Sequence, residues 1–169
     1  MTLGQLNALD RDTFTAALGH LFEHSPWVAA ETWAQRPFRT TADLHAKLCA
    51  TMRAAPRERQ LALVRAHPDL AGRLAQQRQL TAESAREQAS AGLDRLGDAE
   101  LAEFQSLNDT YRARFGFPFV ICARLNDRAS ILAALRRRLA NAPEVEFQAA
   151  LGEIEKIAQL RLEDVLRAR

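Results

Sequence analysis

Apolar positions recur at helical spacing along almost the whole chain. Phe14, Leu18, Leu21 and Phe22 form a first stripe, capped by Asp10 or Asp12 and stopping near Ser25-Pro26. Ser25 is placed to cap a second helix with Pro26 in its first turn, carrying Trp27, Val28 and Trp33 up to Arg36-Pro37-Phe38. Thr40 or Thr41 opens a third through Leu44, Leu48 and Met52, and Pro56 opens a fourth that runs to His67. Leu70 and Leu74 predict a short helix beyond that break, and Thr81 caps another that ends near Gly92.

Asp98 starts a longer amphipathic helix through Leu101, Phe104, Leu107 and Tyr111, with Gly116 as a left-handed stop. The run from Phe117 to Cys122 alone has strand composition. One short strand cannot make a sheet, so it reads as an extended buried segment. Asn126 or Asp127 begins a helix carrying Ile131, Leu132, Leu135 and Leu139, and Pro143 opens a final helix to about Arg167. The pattern predicts an all-α, single-domain bundle of about eight to nine helices over residues 1–169.

Two places break this regularity in ways that bear on chemistry. His67 stands before Pro68, which lacks an amide hydrogen and pushes its neighbour out of helical backbone space. Its imidazole is therefore expected at a helix end, projecting into a cleft. On the final helix, with about 100° per residue, Phe147, Leu151, Ile154, Ala158, Leu162 and Val165 fall within about 60° of one direction. Arg161 falls inside that stripe. A buried guanidinium needs Glu87, another carboxylate or a ligand's carboxylate as partner, unless it snorkels from the helix end.

Ser84, Glu87 and Gln88 stand at i, i+3 and i+4 and share a helix face, either a solvated one or one converging on a ligand. His20 and His24, at i and i+4, have a metal-ligand spacing but no evident third ligand, so no metal is expected. Trp27 and Trp33 read as packing residues. Cys122 reads as a buried, inert thiol.

Composition narrows the classes. The chain has 169 residues, 47% of them hydrophobic, with 23 basic against 21 acidic side chains. That length suits one core, and the balance implies no bulk attraction to nucleic acid or an anionic membrane. Cys49 and Cys122 form no zinc or redox spacing, no apolar run approaches the roughly 20 residues of a membrane span, and the N-terminal residues lack a signal peptide's order. A protein of a reducing, cytoplasmic compartment is expected. The one local basic feature, Arg124, Arg128, Arg136, Arg137 and Arg138, supports a competing reading as a non-enzymatic helical module that binds nucleic acid.

Several separate motifs, in order, resemble the decarboxylases of 2-oxo-4-hydroxy-4-carboxy-5-ureidoimidazoline (OHCU). They are Glu23-His24-Ser25-Pro26-Trp27, Arg36-Pro37-Phe38, Ala66-His67-Pro68-Asp69-Leu70-Ala71-Gly72, and Glu87-Gln88 leading to Ala91-Gly92-Leu93. Asn108, Tyr111, Phe115-Gly116-Phe117-Pro118-Phe119 and Lys156-Ile157-Ala158-Gln159-Leu160-Arg161-Leu162 continue the match. The resemblance implies an all-helical enzyme that converts OHCU to (S)-allantoin in urate degradation without metal or organic cofactor. By the family pattern His67 is the catalytic acid/base, Glu87 orients it and Arg161 holds the substrate. Pro68, Ser84 and Gln88 line the pocket, and backbone groups of Phe119, Val120 and Ile121 bind the ring and ureido group. The resemblance further implies a homodimer that works after a hydroxyisourate hydrolase.

Overall fold

Short polar caps and apolar stripes set the helices. The computed structural model describes residues 1–72, 75 and 77–167. Among them are nine α-helices and four short 3-10 turns, with no strand. The helices are α1 (Leu3–Ala8), α2 (Arg11–Leu18), α3 (Trp27–Thr32), α4 (Thr41–Ala54), α5 (Arg57–Ala66), α6 (Ala82–Ser90), α7 (Asp98–Phe115), α8 (Arg128–Arg138) and α9 (Pro143–Arg167). The all-α expectation holds. The described residues group into two compact units, one of Met1–Ala66 with the chain from Glu155 onward, the other of His67–Ile154.

In the first unit, α3 packs against α2 and α4. Phe14, Leu18, Leu21, Phe22, Val28, Leu44, Leu48 and Met52 are fully buried there. Asp10 caps α2 by accepting the Thr13 amide at 2.9 Å, and Thr40 caps α4 by accepting the Asp43 amide at 3.0 Å. Helix α1 was not among the predicted elements, because only Leu6 of its six residues is buried. A reciprocal Thr2–Gln5 capping box stabilises it instead. Ser25 departs from its expected role. Its hydroxyl donates to the Glu23 carbonyl at 2.9 Å, and Pro26 stands at the start of α3.

In the second unit, α7 ends at Gly116 with φ of 75°, a left-handed stop that a side chain would disfavour. Asp127 caps α8 through the Ser130 amide. The aromatic rings of Tyr111, Phe115, Phe117, Phe119 and Phe147 pack at centroid separations of 4.6 to 6.0 Å, so the Phe117 to Cys122 run is buried without being a strand. Leu74, half of the pair that predicted a short helix after His67, lies outside the described residues. No described helix is long and apolar enough to cross a membrane.

Candidate active site

His67 follows α5 directly and is 6% exposed, so the break places an imidazole inside the protein. Side chains from two helices grip the loop behind it. Gln88 of α6 accepts the Ala71 amide at 2.9 Å through Oε1 and donates to the Asp69 carbonyl at 3.4 Å through Nε2. Asn108 of α7 donates to the Leu70 carbonyl at 2.8 Å, and Arg112 donates through Nε to both Asp69 carboxylate oxygens at 3.1 and 3.2 Å. This grip holds a tight turn. Ala71 has φ of 50°, a left-handed value unusual for a residue with a Cβ, and a Cβ on Gly72 would stand 2.6 Å from that of Asp69.

Helix α6 connects this loop to the extended segment. Ser84 and Gln88 are buried and Glu87 is half-buried on it. The helix packs on the 3-10 turn Ala123–Leu125, which follows the segment directly. Phe119, Val120, Ile121 and Cys122 are 1, 3, 8 and 1% exposed. Burial, then the charges of Glu153 and Glu87, push the Cys122 thiol up, which keeps it neutral and matches the inert reading.

The segment is fixed at two points. The Val120 carbonyl accepts from Arg138 NH1 at 2.8 Å, and the Cys122 amide donates to Glu153 at 2.9 Å. Between them, the amides of Val120 and Ile121 and the Ile121 carbonyl make no hydrogen bond to any described residue. Buried backbone groups are nearly always paired, so this edge has the character of a recognition surface for a ligand rich in N–H and C=O groups.

Arg161 belongs to the first unit. It is 3% exposed, and its NH1 donates to Glu23 Oε2 at 2.9 Å and to the His20 carbonyl at 3.0 Å. Of the partners left open by the sequence, another carboxylate, that of Glu23, is observed. Glu23 is itself 3% exposed, and the left-handed His24, with φ of 46°, turns the chain beside it. His20 and His24 are both exposed, and no group of three metal-ligating side chains gathers among the described residues.

Three of the five arginines of the expected basic face, Arg128, Arg136 and Arg138, are matched by carboxylates. Arg138 is buried against Glu146, while Arg128 and Arg136 pair with Glu100 and Glu103. Charges matched by neighbouring carboxylates offer little to phosphates. Sequence reasoning missed the structural roles of Glu23 in the first unit and of Asn108, Arg138 and Glu146 in the second. Two of them left a signal. Asn108 continues the buried stripe of Phe104 and Tyr111, and Arg138 continues that of Ile131, Ala134 and Leu135.

A helical scaffold that buries a histidine and leaves a buried backbone edge without hydrogen bonds to the described residues has features of a small-molecule enzyme. The particular group follows from comparison, since a family profile described as OHCU decarboxylase matches residues 7–163 and the chain belongs to that family. It is 48% identical over 168 residues to the 2-oxo-4-hydroxy-4-carboxy-5-ureidoimidazoline decarboxylase of Mus musculus, covering 99% of this chain and 94% of that one. It is 44% identical over 165 residues to the decarboxylase of that name from Halalkalicoccus jeotgali, covering 98% and 92%. A crystal structure of (S)-allantoin synthase is similar with a TM-score of 0.76 and 32% identity, over 98% of this chain and 54% of that one.

Proposed function

We propose that this chain decarboxylates OHCU to (S)-allantoin in urate degradation, with His67 as the proton-transferring group. Membership of the family supports the reaction. The observation that carries the site is the buried, unpaired edge at Val120 and Ile121, one helix removed from the gripped His67 loop.

The substrate contains its own electron sink. Its carboxyl-bearing carbon adjoins a ring carbon–nitrogen double bond, so the pair released with carbon dioxide passes into that system. Protonation at the ureido-bearing carbon, with the 4-hydroxyl becoming the carbonyl, gives allantoin. The protein must hold the anion, move protons and select the face of protonation. His67 suits proton transfer because an imidazole titrates near neutrality, and Glu87 orients it. Arg161 suits a carboxylate as a planar, permanent cation. Pro68 and Ser84 line the pocket, Gln88 holds the loop, and the backbone of Phe119, Val120 and Ile121 binds the ring and ureido group. A homodimer in the cytoplasm, supplied by a hydroxyisourate hydrolase, completes the reading.

The test is circular dichroism at an allantoin band while urate is oxidised in the presence of hydroxyisourate hydrolase. Rapid, protein-dependent appearance of the (S) enantiomer, lost in His67→Asn, is expected. A slow racemic signal unaffected by the protein would overturn the assignment.

A further inference from the structure

We propose that Arg138 is a positioning residue that sets the recognition edge at Phe119 to Ile121, and through it the stereochemical outcome. This rests on the reading of that edge as a substrate contact. Arg138 reaches the segment twice, donating from NH1 to the Val120 carbonyl at 2.8 Å and lying with its guanidinium carbon 4.4 Å from the Phe119 ring centroid. It is 7% exposed, and Glu146, at 0%, holds it from below through Nε at 2.7 Å. Tyr111 and Asn141 in turn donate to the two oxygens of Glu146, at 2.5 and 3.0 Å. Tyr111 also packs edge-on against Phe119, with centroids 5.4 Å apart. The Phe119 ring is thus gripped on its face by a cation and at its edge by the residue that fixes the cation's counter-ion.

A buried ion pair is a poor device for stability alone, because apolar residues of like volume serve as well or better. Its advantage is direction. A guanidinium on a fixed carboxylate points its remaining donors along set lines, and one of those lines ends on the Val120 carbonyl. The Ile121 amide shares a peptide plane with the Val120 carbonyl so held, and the Val120 amide lies between that carbonyl and the clamped Phe119. A segment free to rotate would present these amides at varied angles and bind the planar intermediate in more than one orientation.

The experiment separates positioning from stability with two variants. Arg138→Met/Glu146→Leu leaves no buried charge unpaired but strands the Tyr111 hydroxyl, the Asn141 amide and the Val120 carbonyl, and is expected to fold with a lowered melting temperature. Arg138→Lys keeps a charge for Glu146 but loses the two-point hold on Val120 and Phe119. In both, KM is expected to rise about tenfold, the effect of losing one or two oriented hydrogen bonds. The enantiomeric excess of enzyme-formed allantoin is expected to fall. Folded variants with wild-type KM and wild-type enantiomeric excess would overturn the proposal. Wild-type turnover is the control, and its absence would count against the functional reading instead.

Discussion

Gln88 uses both ends of its amide on the loop that follows His67, accepting from Ala71 and donating to the Asp69 carbonyl. A side chain in contact with backbone groups of two residues, Asp69 and Ala71, dictates the loop's shape. Gln88→Leu should leave the buried Ala71 amide unpaired and cost about 1–3 kcal/mol. Urea unfolding of the two proteins measures this directly.

His67→Asn should keep the fold and the affinity for (S)-allantoin within a few-fold while turnover falls by about a hundredfold or more, the usual scale of positioned acid–base catalysis. Calorimetric titration with product alongside the dichroism assay separates the two effects. Retained turnover would remove His67 from the chemistry.

Burial and the neighbouring Glu146 carboxylate push the Tyr111 hydroxyl well above its ordinary value of 10.0. An acid whose pKa is raised on folding contributes stability that is complete below its unfolded pKa. That stability is lost as pH climbs past that value, because only the unfolded chain then releases the proton. Cys49, pushed up to about 12 by burial and by Glu155, acts in the same direction above its ordinary value of 9.0. Alkaline titration should show no tyrosinate absorbance until the protein unfolds. Tyr111 is the sole tyrosine, so the signal is unambiguous. Tyr111→Phe should flatten the fall in melting temperature above about pH 10.

Glu23→Ala should leave the Arg161 guanidinium buried without its carboxylate. The expected cost is about 3–5 kcal/mol, the range for breaking one side of a buried pair. Thermal and urea unfolding read it. A change of under about 0.5 kcal/mol, the scale of an ordinary surface substitution, would mean that the pair contributes little to the folded state.

How much of this was legible beforehand depended on where the information lay. Thr81, Asp127, Gly116 and Pro143 announce their helix ends because capping and breaking are local effects, and all fall at the observed boundaries. Arg161 was legible as buried because a cation in an apolar stripe violates the helical period. Its partner was not, since Glu23 lies far away in the chain and no spacing rule connects them. Arg138 carried the same stripe signal but was masked by Arg136 and Arg137 beside it, so a charged run concealed one inward-facing member. The grip of Gln88, Asn108 and Arg112 on the His67 loop depends on which helix faces reach which carbonyls. Only tertiary structure provides that.

The first unit is made from two distant stretches of chain, Met1–Ala66 and the residues from Glu155 on. On a ribosome, Glu23 therefore emerges long before Arg161, and its carboxylate lacks that guanidinium until α9 has been made. Closing so long a loop is slow relative to forming local helices. The amino-terminal helices therefore complete the packing of their unit only after the second unit has been synthesised. A chain halted before α9 would lack the guanidinium on which the Glu23 carboxylate closes in the finished protein.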